Sequence, residues 1–509
     1  MRAVIAVPPV QDFYFTPHRA SALGGRAVQR VLESRGWETT LLHFPVSQGG
    51  GKVIPLPEAL NHLSPFILSG ERGPTSFFRH YYRFGPETSE ACRTVLAHAP
   101  DLILVSCFAW AYAEEARELI GCLKITAPEI PVILGGSGAA VLPEYFFPPA
   151  SEKPGPDYLL GGEAETQLAD LLSAAGRKPP PVKTNKGVLL PFDPSACAAS
   201  LPVLWGVSRA GGVPQINLHL SRGCAMGCRF CSNHLTQGRV FRKADLSALG
   251  QTLEEIERVF GVLLKGKILV NLEDDNLLQQ PDYFLEVLSL LRERIPGAVF
   301  TAENGLDHRL LSPELAETLI DLGFQQFNLS LAQINPRLLQ QEKRTFHREQ
   351  YENLLRLAAS RKIGTITYFI AGLPGDNGEN LINNLLYLSG LPTNIGISLF
   401  YPVPGLPGFT DKTIFLRHSP RLTAGSSAWP WGSSLSTREM VTAFRLSRMI
   451  NFLKRSPREP REEDMRRQLL ENRRLLTWYK GNPTGEAPPG IDEALVSGLW
   501  ERLGSFFRP

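Results

Sequence analysis

In the first 180 residues, short apolar runs end in polar or glycine-rich turns and lead into amphipathic stretches. Ala3–Val7 reads as a strand, His18–Gly36 as a helix closed by a C′ glycine, and Glu38–Phe44 as a second strand. Asp101–Ser106 is a continuous apolar run of the kind a buried parallel strand shows, and Ala113–Lys124 is helical. Pro131–Gly136 and Asp157–Glu163 repeat the strand-to-glycine design, the second before a helix over Ala164–Ala174. This alternation predicts an α/β, doubly wound domain over residues 1–178. Ligands of such sheets lie beyond the carboxyl ends of the strands, which places Ser106, Gly135, Gly136, Ser137, Gly162 and Glu163 at a candidate site. Taken singly, each glycine reads better as a tight turn.

After a Pro-rich linker over 179–210, the pattern changes to longer strand–helix units. Strands are expected at Ile216–Leu220, Lys267–Leu272, Ala298–Ala302, Gln326–Leu331, Gly364–Ile370 and Gly396–Phe400. Helices are expected over 246–264, 281–294, 312–322, 348–361 and 378–389. Six such units within 211–405 predict a partial (β/α)6 barrel with its chemistry at the carboxyl ends of the strands.

The first barrel strand delivers Cys224-x3-Cys228-x2-Cys231, three of the seven cysteines within eight positions. Three thiolates on so short a loop can face one centre and leave a coordination position open. The favoured occupant is a [4Fe–4S] cluster with one iron free for a non-protein ligand. A structural zinc would need a fourth ligand, for which His234 is the nearby candidate. An odd number, in the reducing compartment expected for this chain, speaks against a disulfide.

This cysteine loop, with Phe230 before its last cysteine, resembles the signature of the radical SAM superfamily. The resemblance implies a cluster on Cys224, Cys228 and Cys231 whose open iron chelates S-adenosylmethionine, and cleavage of that cofactor to a 5′-deoxyadenosyl radical. It also implies cofactor contacts from Phe230, Glu273, Glu303, Ser330, Arg344 and Ile397, at or after successive strand ends. Glu273 opens an acidic run, Glu273-Asp274-Asp275-Asn276, that reads alternatively as a solvated loop. The N-terminal segment resembles the cobalamin-binding domain of one branch of that superfamily, through Gly135-Gly136-Ser137-Gly138 and Gly162-Glu163. None of the ten histidines lies in a D-x-H-x-x-G pattern, so the expected cobalamin has no protein lower ligand from that motif.

The function expected from this resemblance is methyl transfer to an unactivated carbon. Cyclisation or rearrangement in the same branch is the alternative. A tRNA methylthiotransferase would need a second cysteine triad that Cys92, Cys107 and Cys122 do not form, and a non-catalytic iron–sulfur or zinc scaffold is the reading from a different class. The expected partners are a small-molecule substrate and a reductant such as flavodoxin or ferredoxin. With 53 Lys+Arg against 50 Asp+Glu and no long apolar run, neither nucleic acid nor a membrane is expected, and the location expected is cytoplasmic. Residues 406–509 read as a helical cap with an aromatic loop, Gly425–Trp431, as a candidate lid. Its bases from Arg445 to Arg474 are diluted by acids and read as a solvated face.

Overall fold

The computed structural model describes residues 1–16, 21–67, 77–147, 153–176, 178–182, 187–261 and 266–455. The chain divides into two compact units. The first comprises Met1–Ile54, Tyr82–Asn304 and Val403–Thr423; the second comprises Pro55–Tyr81, Gly305–Pro402 and Ala424–Pro509.

The first unit opens with a parallel sheet built from β1 (Arg2–Val7), β2 (Glu38–His43), β3 (Leu102–Ser106), β4 (Val132–Gly135), β5 (Tyr158–Leu160) and β6 (Val188–Leu190). Their order is β2-β1-β3-β4-β5-β6, and every pairing is parallel. The chain order reverses between β1 and β3, the switch point at which doubly wound sheets open a crevice. The central strands β1, β3, β4 and β5 are almost wholly apolar and buried because both of their faces are covered. On one face Ile5, Leu104, Ile133 and Leu160 pack with Val31 and Leu32 of the helix Leu23–Glu33 and with Leu168 and Leu172. The stretch read as a linker departs from that expectation. Its Val188–Leu190 segment adds to the sheet as β6, since an extended apolar tripeptide beside an unpaired strand edge gains a ladder of hydrogen bonds.

A second sheet of this unit follows, with β7 (Leu204–Ala210), β8 (Val213–His219), β11 (Ile268–Leu272) and β12 (Ala298–Thr301). Strand β7 also lies in the expected linker, and pairs antiparallel with β8 through Gly211-Gly212. Both glycines have positive φ (+55° and +84°), as a tight two-residue hairpin turn demands. From β8 onward the pairing is parallel, β8-β11-β12, so three of the six strands expected for a barrel share one sheet. Between β8 and β11 a two-stranded ladder, β9 (Ser221–Arg222) with β10 (Arg242–Lys243), closes the base of the cysteine loop.

The second unit carries β13 (Gln326–Ala332), β14 (Gly364–Ala371) and β15 (Asn394–Leu399) in a parallel three-stranded sheet, with helices Pro313–Leu322, Arg348–Ser360 and Gly378–Ser389 between and before them. The helix Thr437–Arg455 packs on β15, where Asn451 exchanges hydrogen bonds with both backbone groups of Ile395. Arg445, expected on a solvated face, is fully buried in this helix, and Arg448 lies over the Phe444 ring at 4.8 Å. The bases beyond Arg455 lie outside the described residues. Among the described residues no helix is long and apolar enough to cross a membrane.

One buried ion pair staples the N-terminal sheet. Lys124 Nζ reaches both oxygens of Asp157 at 3.0 and 2.9 Å, and Asp157 also accepts the backbone N–H groups of Val132 and Val182. With both side chains almost wholly shielded, removing one partner strands a buried charge. Asp157→Ala should therefore lower the stability of this unit by about 3–5 kcal/mol, read from the denaturation midpoint followed by circular dichroism.

Candidate functional site

A cavity of about 320 Å³ opens at the carboxyl ends of the doubly wound strands. Ser106 after β3, Gly135, Gly136 and Ser137 after β4, and Gly162 and Glu163 after β5 all line it. The glycines have different reasons for being glycine. A Cβ on Gly136, at φ +104°, would stand 2.4 Å from the Cys107 carbonyl oxygen, so this residue is dictated by the turn. A Cβ on Gly135 would meet nothing nearer than Leu160 Cβ at 4.0 Å, so its smallness leaves space in the cavity rather than permitting a backbone contact. The opposite wall comes from the segment around the cysteine loop: His219, Arg222, Thr236 and Gln237. The Gln237 Oε1 is buried without a hydrogen-bond partner among the described residues, an acceptor available to an amide-bearing ligand.

Glu163 does more than border this cavity. Its carboxylate receives Arg242 in a fork at 2.7 and 3.0 Å, Arg222 at 3.2 Å and the Ala198 N–H at 3.0 Å. Arg222 in turn forks onto Glu165 at 2.7 and 3.1 Å. Burial alone would raise the Glu163 pKa, but its hydrogen bonds from Arg242 and the charges of Arg222 and Arg242 hold it below the usual carboxylate range. Arg222 and Arg242 face each other in the β9–β10 ladder, so Glu163 clamps the two ends of the cysteine loop to the turn after β5. Glu163→Gln leaves two buried guanidiniums short of charge. It should lower the thermal midpoint of the protein and weaken iron retention after reconstitution, with Glu165→Gln milder because only Arg222 loses its partner.

Within the clamp, Gly223 has φ +85°, and a Cβ there would fall 2.1 Å from the Val240 carbonyl oxygen. Cys224 is half-buried, Cys228 buried and Cys231 exposed. Gln279 accepts the Ala225 N–H at 2.8 Å, and the Cys231 N–H returns to the Cys228 carbonyl at 3.2 Å. Burial pushes the Cys224 thiol up, and neighbouring charge on Cys228 and Asp275 adds to this, against hydrogen bonds from Met226 and Asn276. A cationic metal centre is what turns such a set of thiols into thiolates. His234, the alternative zinc ligand, directs its ring at the Cys231 carbonyl. Among the described residues no three His, Cys, Asp or Glu side chains are already gathered to hold a metal ion, so what suits a four-iron cluster with one open iron is the chemistry of three thiols within eight positions of one loop.

The acidic run is not one solvated patch. Glu273 Oε1 accepts from Asn271 Nδ2 at 2.6 Å. Asp274 is buried and receives Leu220 N, Ser221 N and Ser221 Oγ on a single oxygen, anchoring the residues before the cysteine loop. Asp275 faces the cysteines, and Asn276 supports Cys224. Glu303 sits on a turn whose N–H is held by Asn271 Oδ1 at 3.0 Å. Phe230 is partly exposed on the cysteine loop.

In the second unit, Ser330 and Arg344 meet. Ser330 donates its hydroxyl to Leu306 O at 3.2 Å, while its own carbonyl accepts Arg344 Nη2 at 2.5 Å and His308 Nδ1 at 3.0 Å. Arg344 also pairs with Asp307 at 3.4 Å. Burial, with Arg344 nearby, pushes the His308 pKa down to about 4. Arg344 is thus engaged in a buried junction that a sequence scan for strand-end residues does not reveal. Ile397 lies partly buried on β15 opposite Phe369. The aromatic loop read as a lid is packed: Trp431 is buried, and His62 stands edge-on to Trp429 with a nitrogen 2.8 Å from Ser427 O.

Residues 218–388 match the radical SAM superfamily. In the chain this matched segment is preceded by the doubly wound parallel sheet β2-β1-β3-β4-β5-β6. It is similar over 80% of its length, with a TM-score of 0.55 and 17% identity, to the radical S-adenosylmethionine methyltransferase TsrM of Kitasatospora setae, solved with cobalamin and a [4Fe–4S] cluster, of which it covers 73%. A second structure of TsrM, with tryptophan and a cofactor analogue, gives a TM-score of 0.54 at 16% identity over 82% of this chain and 74% of that one. Among curated proteins, the bacteriochlorophyllide d C-12(1)-methyltransferase of Chlorobaculum tepidum is 26% identical over 200 residues, 39% of this chain. The match spans 42% of that relative's length.

Asp274 gives this site a pH signature. Burial pushes its pKa up to about 7, against hydrogen bonds from Ser221 and Leu220. Between about pH 4 and 7 the unfolded chain therefore binds fewer protons there than the folded one, and stability falls as pH rises through that window. Asp274→Asn keeps an acceptor for Ser221 and should flatten this slope in thermal midpoints measured from pH 5 to 8.

Proposed function

We propose that the protein is a cobalamin-dependent radical SAM methyltransferase that methylates an unactivated carbon of a small-molecule substrate. The observation that carries this reading is the shared wall. The segment that holds Cys224, Cys228 and Cys231 also closes, through His219, Arg222, Thr236 and Gln237, the cavity at the ends of the doubly wound strands. A cluster-binding loop and a cavity suited to a large flat cofactor are thereby adjacent within one compact unit.

The three cysteines would hold a [4Fe–4S] cluster, with S-adenosylmethionine on the open iron, and the cavity would hold cobalamin. Together these groups supply reductive cleavage of a sulfonium and a transferable methyl. The protein's own part is placement. Phe230 offers an aromatic face to the adenine, and Glu273 and Glu303 offer carboxylates to the methionine ammonium. Ser106, Gly135, Ser137 and Gly162 offer room to the corrin, and the Glu163 clamp fixes the separation of the two sites. A reductant such as flavodoxin or ferredoxin, and the reducing cytoplasm in which free thiols persist, complete the reading; all seven cysteines are free.

Anaerobic reconstitution tests it. The wild-type protein should bind close to four irons, release 5′-deoxyadenosine from S-adenosylmethionine with dithionite, and retain corrinoid absorbance when supplied with cobalamin. Any of Cys224→Ser, Cys228→Ser or Cys231→Ser should abolish the nucleoside. Gly135→Leu, which the backbone accommodates, should lose the corrinoid and keep the iron. A wild-type protein that yields neither nucleoside nor corrinoid absorbance overturns the reading.

A further inference from the structure

The sheet β7-β8-β11-β12 carries a row of polar side chains, most of them buried, that neither the cluster nor the cavity requires. In register across the sheet stand Asn217 on β8, Asn271 on β11 and Thr301 on β12. Asn217 and Asn271 are wholly buried. Asn217 donates to Ser208 Oγ at 3.1 Å and accepts from Gln215 Nε2 at 2.7 Å.

Asn271 is the hub. Its Oδ1 accepts the Glu303 backbone N–H at 3.0 Å and the Thr301 hydroxyl at 3.3 Å. Its Nδ2 donates to Glu273 Oε1 at 2.6 Å and to Asn217 Oδ1 at 3.2 Å. The orientation of the amide is forced, since the backbone N–H can only donate and the carboxylate serves as acceptor. All four hydrogen-bonding positions of Asn271 are used. The same connection is repeated in the backbone: Asn304 Nδ2 donates to the Glu273 carbonyl at 2.7 Å.

A buried polar row of this kind is a poor source of net stability, because well-packed apolar side chains of similar volume serve as well or better. What apolar side chains cannot do is aim a carboxylate. We infer that Asn271 is a positioning residue that fixes the Glu273 carboxylate and the Glu303 turn relative to one another, preorganising two acidic groups from adjacent strands for one cationic ligand. The inference rests on the proposed function, in which that ligand is the methionine ammonium of S-adenosylmethionine. Asn271 itself touches Glu273 and not the cofactor. The remaining row, Ser208, Gln215 and Asn217, holds the Asn271 amide so that it cannot rotate away.

Asn271→Asp separates this role from a purely structural one. The substitution keeps the shape and the acceptor toward Thr301 and Glu303, and replaces the donor toward Glu273 with an oxygen. In the full chain, reconstituted anaerobically with iron, sulfide and cobalamin, equilibrium binding of S-adenosylmethionine should weaken about tenfold. Iron content and corrinoid absorbance should stay at wild-type levels, readouts that a general loosening of the fold would lower together. Thr301→Val, which removes one donor to Oδ1 and leaves the Glu273 bond intact, should bind the cofactor within about twofold of wild type. If Asn271→Asp fails to load iron, Asn271→Ser, which removes the same bond without burying a charge, is read in its place. Affinity within twofold of wild type in a variant that loads iron overturns the inference alone. A wild-type protein that binds no S-adenosylmethionine overturns both this inference and the function on which it rests.

Discussion

The buried ion network of Glu163 and Glu165 with Arg222 and Arg242 is the constraint on which the site depends. Four charges in a largely desolvated place would be costly apart and are held by forked hydrogen bonds together. Glu163 follows the glycine turn after β5, and the two arginines face each other at the base of the cysteine loop. One carboxylate therefore couples the end of a doubly wound strand to both ends of the loop. The geometry it fixes is the separation between the cavity and the cysteine loop, the quantity on which the proposed chemistry rests.

Strand β8 carries the second constraint. Its even-numbered residues Ile216 and Leu218 are buried in the apolar core, while Gln215, Asn217 and His219 alternate with them. Gln215 and Asn217 enter the amide row, and His219 reaches the cavity wall. A single strand thus serves the core on one face and the site on the other, as the two-residue period of an extended chain permits. Asp274 then ties the strand's end to the start of the loop through Leu220 and Ser221, so the cysteines begin from a fixed point.

Much of the fold was legible in the residues. The apolar runs at Ala3–Val7 and Asp101–Ser106 are strands because side chains covered on both faces need no polar alternation, and Gly136 after β4 marks a turn that a Cβ would block. The linker was the part misjudged. Prolines at 179–181, 191 and 194 hide two strands whose stability comes from partners distant in sequence, β5 for Val188–Leu190 and β8 for Leu204–Ala210. Of the candidate site, the cysteine spacing was plain because its ligands are close together along the chain. Arg222, Arg242, Asn271 and His219 were not, because an isolated arginine or asparagine looks the same in a sequence whether it meets water or a buried partner.

The sequence by itself determined the local chemistry: a three-thiol loop, a succession of glycine-ended strands, and a change of period near residue 211. Each depends on neighbours a few residues apart, whose geometry the backbone fixes directly. The tertiary structure alone decided that Glu163 clamps the cysteine loop instead of simply lining a cavity, that Gly135 makes room where Gly136 makes a turn, and that four adjacent polar residues after β11 take separate duties. These outcomes depend on burial and on partners dozens of residues away, and burial is what turns a common surface charge into a binding constraint.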